Sequence, residues 1–141
     1  QKVVRVVNLR EQSTATMRRK LEQAGFEASV VDSTLQRAQE IGLIDDRRYA
    51  EALVRSTLSS GKGLRHARSQ LEALGISLDE VEAYQDHVAD GPSEVDRALD
   101  LLSRKRFTAK NKRQAAYRAL VGKGFSSDAA SSAVRIWSEQ Q

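Results

Sequence analysis

Cysteine is absent from the sequence, which excludes a disulfide framework, a thiolate nucleophile and any Cys-based zinc site. His66 and His87 are the only histidines, so the usual inventory of metal ligands and general bases is thin. Aromatic residues make up 5% of the 141 residues (Phe26, Tyr49, Tyr84, Phe107, Tyr117, Phe125 and Trp137), so the core has to be built from Leu, Val and Ala. No run approaches the ~20 apolar residues that a membrane-spanning helix needs, and the mean hydropathy is −0.53. There is one proline, Pro92, and no basic-then-apolar leader. The chain opens on Gln1, and we read it as an excised piece of a longer protein. Cysteine-free composition is compatible with a reducing cytoplasm, the expected location.

Charge is small in sum and uneven in distribution. The net charge is +4. Segment 72–100 carries nine acids against Arg97 alone, whereas segment 101–123 carries eight bases and no acid. A net −8 is therefore followed by +8, which points the basic stretch toward nucleic acid or an acidic protein face. Two solvated faces that neutralise one another would give the same pattern.

The chain repeats itself. Leu21-x-x-x-Gly25-Phe26 recurs as Leu71-x-x-x-Gly75-Ile76 and as Leu120-x-x-x-Gly124-Phe125, at steps of 50 and 49 residues. Gly42 and Gly91 keep the same step of 49. Within each unit the apolar period is helical: Met17, Leu21 and Ala24; Val31, Leu35 and Ala38; Leu78, Val81 and Val88; Val95, Ala98 and Leu102; Ala130, Ala133, Val134 and Trp137. Ser13, Asp45, Ser77, Ser93, Thr108 and Ser126 or Ser127 are expected N-caps, and Gly25, Gly42, Gly75 and Gly124 expected helix stops. Gly61-Lys62-Gly63 is expected to be the most flexible joint. The spacing predicts an all-α chain of tandem three-helix repeats of about 49–50 residues: repeat one over 13–61, repeat two over 62–110 and a shortened repeat three over 111–141. Residues 1–12, rich in β-branched side chains but without a second strand to pair with, are read as the end of a truncated helix.

Few residues invite chemistry. Asp45-Asp46 sits where a helix starts, and capping accounts for it without a metal or an acid–base pair. Tyr49, four residues on, should seat that helix on the core. No triad, phosphate loop, dinucleotide fingerprint or metal cluster is present, so neither an enzyme nor a cofactor is expected. The basic residues remain. Arg65 and Arg68 share a face of one helix, Arg104, Lys105 and Arg106 end another, and Lys110, Lys112, Arg113 and Arg118 follow. Lining one side of a repeat array, they would neutralise phosphates without reading sequence. Base stacking has weak support, because only Phe107 and Tyr117 lie within the basic stretch.

The segments Ile44-Asp45-Asp46-Arg47-Arg48-Tyr49-Ala50 and Gly63 to Ile76, which ends in Leu71-x-x-x-Gly75-Ile76, together resemble the signature of the bacterial RecX regulators. That signature is an Asp-rich turn, Tyr-Ala on a helix, and a basic helix ending in Leu-x-x-x-Gly-Ile. The resemblance runs from about Ser13 to Trp137, with Leu64 and Ala67 departing from the family's Pro and larger aliphatic residue. It implies a non-enzymatic modulator of the RecA recombinase, folded as an elongated, curved helical array and acting in recombination and the SOS response. Such a protein lies in the groove of the RecA–single-stranded-DNA filament and limits ATP hydrolysis, strand exchange and co-protease activity. The implied partners are the RecA filament and single-stranded DNA, with duplex DNA weakly, for a monomer without membrane contact. A general single-stranded nucleic-acid binder is the alternative. A helical adaptor of the tetratricopeptide kind has the wrong period. A fragment of a nucleic-acid enzyme and a helix-turn-helix regulator also stay open.

Overall fold

Side-chain caps and left-handed glycines mark off the helices of this chain. A computed structural model describes residues 13–141, and the reading of 1–12 as a helix end lies outside the described residues. Among the described residues the chain is helical throughout: α1 Thr14–Gln23, α2 Ala28–Glu40, α3 Asp46–Ser59, α4 Arg65–Ala73, a 3-10 turn at Leu78–Glu80, α5 Glu82–Asp90, α6 Glu94–Ser103, α7 Lys112–Gly122 and α8 Ser127–Glu139.

Ser13, Ser93 and Ser126 accept hydrogen bonds from the amides of Thr16, Asp96 and Ala129, each at 3.1 Å, as N-caps should. Asp45 Oδ1 accepts from the Arg47 and Arg48 amides at 3.0 and 3.3 Å. The neighbouring Asp46 Oδ1 accepts from the Thr14 amide at 2.8 Å, tying the start of α3 to the start of α1. Thr108 does not cap α7; Asn111 does, accepting from the Gln114 amide at 3.1 Å. Phe107 packs on the core beside it, so the chain runs irregularly to Asn111 before the helix begins.

The sequence repeat is a repeated helix stop. After each motif leucine, the residue following the glycine donates its amide back to the leucine carbonyl: Phe26 to Leu21 at 3.3 Å, Ile76 to Leu71 at 2.9 Å and Phe125 to Leu120 at 3.1 Å. The glycine amides bond to Glu22, Glu72 and Val121, which completes the Schellman geometry, and Gly25, Gly75 and Gly124 adopt φ of +92°, +77° and +97°. A Cβ is strongly disfavoured there, and this explains why glycine recurs at that step. Gly42 is left-handed as well, but Gly91, its partner at 49 residues, has φ −89°. Gly91 answers to space instead: a Cβ on it would meet His87 Nδ1 at 2.4 Å.

The helices gather into two compact units, one through Ala52 and one from Leu53 to Gln141. The first packs α1 on α2 around Met17, Leu21, Val31, Leu35, Ala38 and Ile44. In the second, α8 packs against α6 and α7. Its core is Ala98, Leu102, Ala116, Leu120, Phe125, Ala130, Ala133, Val134 and Trp137. Alanines at the contact points let the helix backbones approach, and the fully buried Phe125 fills the centre. Middle-helix periodicity starting at Leu78 is corrected: Leu78 and Val81 are buried from the 3-10 turn and the residue after it, and Val88 is 62% exposed.

The joint at Gly61-Lys62-Gly63 is also corrected. Gly63 is buried, its amide donates to the Lys123 carbonyl at 3.0 Å, and the Arg65 amide donates to the Gly124 carbonyl at 3.0 Å. A Cβ on Gly63 would lie 2.4 Å from the carbonyl carbon and oxygen of Gly124, which is backbone and cannot swing aside. Gly63→Ala should therefore destabilise the second unit by about 1–3 kcal/mol. Gly122→Ala, on the α7 helix with nothing near its Cβ, should instead stabilise it by about 0.5–1 kcal/mol. Urea denaturation followed by far-ultraviolet circular dichroism separates the two, and equal effects would show that the Gly63–Gly124 approach is not a tight constraint.

Candidate nucleic-acid interface

All nine basic residues singled out from the sequence are exposed. Arg65 begins α4 and donates to the Val121 carbonyl at 2.8 Å, so its guanidinium satisfies the end of α7. Arg68, one turn on, lines the same cleft as Arg65, a space of about 490 Å³ whose lining also includes Leu64, Tyr84, His87, Val88 and Pro92. Arg104 forms an ion pair with Asp100 one turn back on α6, which offsets its charge. Lys105, Arg106 and Lys112 gather around another cleft of about 520 Å³, whose wall includes Phe107 and Trp137. Lys110 lies in the turn before α7, Arg113 in the first turn of α7 and Arg118 in its middle. Lys105, Arg106, Lys110, Lys112, Arg113 and Arg118 have no ion-pair partner among the described residues. The set is thus divided among separate clefts.

The aromatic component missing from the linear reading is supplied by folding. Trp137, from α8, meets Phe107 edge to face, with ring centroids 5.5 Å apart at an interplanar angle of 71°. Trp137 is 8% exposed, and Phe107 is half-buried against the same core. Two aromatic rings distant in sequence therefore border the cleft where three unpaired cations stand. Tyr117, the other aromatic of the basic stretch, packs on the core.

The motif residues have structural work. Asp45 and Asp46 cap and tie as described, Tyr49 is half-buried on α3, Leu71 is fully buried and Gly75 ends α4. Among the described residues no group of three His, Asp or Glu side chains is placed to hold a metal ion. No helix among them is long and apolar enough to cross a membrane.

The family model for RecX, second three-helix domain, matches residues 45–84. Regulatory protein RecX of Chlorobium phaeobacteroides (strain BS1) is 32% identical over 128 residues, covering 88% of this chain and 83% of that protein. The chain belongs to the RecX family. Regulatory protein RecX of Mycobacterium sp. (strain JLS) is 37% identical over 100 residues, covering 70% of this chain and 54% of that protein. The chain thus spans about half the length of the mycobacterial relative it matches. The crystal structure of RecX from Lactobacillus salivarius shares the helical fold, with a TM-score of 0.63 over 98% of this chain and 93% of that one, at 19% identity. In RecX terms, the matched span 45–84 opens on the Asp45 cap and takes in the Leu71–Gly75 stop.

One residue of this RecX-family chain escaped the sequence reading. Arg97 is 8% exposed; it pairs with Glu94 at 2.7 Å and donates to the carbonyls of Leu58 and Lys62. Its guanidinium carbon also stands 5.8 Å from the centre of the Phe125 ring. The signal was present, since Arg97 is the single base of an acidic segment on a helix face shared with core leucines. Arg97→Met should cost about 1–3 kcal/mol by removing the donor to the Lys62 carbonyl and the partner of the Glu94 carboxylate, whereas Arg104→Gln, which breaks an exposed pair, should cost less than about 1 kcal/mol. Denaturation midpoints of the two variants test this, and comparable losses would contradict the distinction.

Proposed function

We propose that this chain is a non-enzymatic regulator that binds the RecA–single-stranded-DNA filament in the cytoplasm. In this reading it restrains RecA's ATP hydrolysis, strand exchange and co-protease activity, and so modulates recombination, DNA repair and the SOS response. The observation that carries the reading is a run of exposed cations between Lys105 and Arg118, without ion-pair partners among the described residues and with no acid in segment 101–123, on a RecX-family scaffold. Relatives across the family are named regulatory proteins, which supports a modulator rather than a catalyst. Repeats two and three, 62–110 and 111–141, would then present basic segments to a repeating polymer, where individually weak contacts add. The protein would act as a monomer.

Arg65, Arg68, Arg104, Lys105, Arg106, Lys110, Lys112, Arg113 and Arg118 form the proposed contact set. Within it the unpaired members carry the attraction, while Arg65 and Arg104 already serve the protein's own carbonyl and carboxylate. A second reading, a general single-stranded nucleic-acid binder, draws support from the basic cleft with its aromatic pair, which needs no RecA to hold a strand.

The deciding experiment is steady-state ATP hydrolysis by RecA on single-stranded DNA, titrated with this chain, with binding to bare DNA followed in the same buffer. Inhibition where bare DNA is hardly bound is the expected result. Inhibition only when the DNA is sequestered would favour the general binder, and no inhibition would reject the filament reading. Lys105→Glu with Arg106→Glu should weaken inhibition by about tenfold or more and flatten its salt dependence. Arg18→Gln, outside the contact set and paired with Asp32, should leave both nearly unchanged.

A further inference from the structure

We propose that the cleft bordered by Lys105, Arg106, Lys112, Phe107 and Trp137 is a subsite for one nucleotide of a single strand, its phosphate on the cations and its base against the aromatic pair. The proposal deepens the preceding reading and rests on its nucleic-acid contact, not on RecA.

Four observations converge on this cleft. Its volume, about 520 Å³, lies within the span of roughly 300–1,000 Å³ usual for small-ligand sites. Its cations come from both sides of an irregular turn: Lys105 and Arg106 follow the end of α6, and Lys112 is the first residue of α7. None of the three has an acidic partner within ion-pair distance among the described residues, unlike their neighbour Arg104. The positive end of the α7 dipole adds to the field at Lys112.

The wall of the cleft gives the site its second component. Phe107 and Trp137 meet edge to face rather than stacked, so neither ring covers the other's whole surface. Phe107 is half-buried and Trp137 is 8% exposed, so the base would lie against Phe107 with Trp137 behind it. A planar base fits beside such a pair, and every base has a π-face to offer, so the site would be tolerant of sequence. Leu102, also in the lining, adds apolar surface, while Ser103, Gln140 and Gln141 offer polar groups to a base edge or sugar. An acidic peptide would satisfy the cations but leave the aromatic wall without a flat partner.

Trp137 is the only tryptophan, so the chain's intrinsic emission reports on this cleft. The full 141-residue chain would be titrated with an oligodeoxythymidylate of about ten nucleotides, with an abasic oligonucleotide of the same length, and with polyglutamate. Binding of each labelled probe would be followed by anisotropy. Saturable quenching of Trp137 by the thymidylate, with weaker binding and little quenching by the abasic strand, is the expected result. Lys105→Glu with Lys112→Glu should lower thymidylate affinity by about tenfold or more. Both positions are exposed, and an unchanged circular dichroism spectrum verifies the fold of that variant. Equal quenching by thymidylate and abasic strands would overturn the base contact. Quenching by polyglutamate alone would make the cleft an acidic-peptide site and overturn the proposal. Thymidylate binding without quenching, or no binding, would overturn it as well. Assayed in parallel, RecA inhibition without quenching would reject this subsite alone, and quenching without inhibition would reject the RecA reading alone.

Discussion

Taking a guanidinium out of water is costly unless its charge and its donors are met, and the second unit is organised around one site where they are. Arg97 projects from α6 into a pocket closed by the Leu58 and Lys62 carbonyls, with the Glu94 carboxylate beside it and the Phe125 ring below it. Those carbonyls belong to the end of α3 and the turn after it, so one side chain fixes the path by which the chain leaves α3. The next residue, Gly63, then passes against Gly124 closely enough to exclude any side chain. The two contacts are adjacent in space and in sequence, and each limits where the other can move. Through Phe125 they reach the core formed by α6, α7 and α8.

The basic surface depends on that core. Residues 104–111 form no regular helix, and a free segment of that composition would sample many conformations. Phe107 packs against Trp137 and so ties the segment to α8, while Asn111 caps α7 and fixes its far end. Lys105, Arg106 and Lys112 are thereby held around a defined cleft.

The acidic and basic blocks do not simply cancel. Arg104 and Asp100 join them across one helical turn, and Arg97 is consumed internally with Glu94. Beyond these pairs the cations from Lys105 to Arg118 are exposed and have no carboxylate within ion-pair distance among the described residues, so their field extends to about a Debye length in physiological salt. The acids of segment 72–100 lie largely on the 3-10 turn, α5 and α6. A chain so divided can orient on a charged partner as well as attract it.

Local interactions made much of this chain legible in one dimension. Schellman stops need a glycine at C′ and apolar residues at C3 and C″, all within six consecutive positions, so Leu21 to Phe26, Leu71 to Ile76 and Leu120 to Phe125 announced themselves. N-caps are local too, and Ser13, Asp45, Ser93 and Ser126 could be placed from residue type and position; the RecX resemblance rested on the same short-range features. Thr108 misled because Asn111, three residues later, competed for the same role. What depended on contacts between distant residues could not be read. The burial of Arg97 depends on carbonyls 35 and 39 residues away. The constraint on Gly63 comes from Gly124, and the aromatic wall joins Phe107 to Trp137. Short-range patterns were enough for helices among the described residues, their repeating stops and the sign of the charge blocks. Which glycine must lack a side chain, which arginine is internal and which cations stand beside aromatic rings depend on how helices pack and not on the period within any one of them.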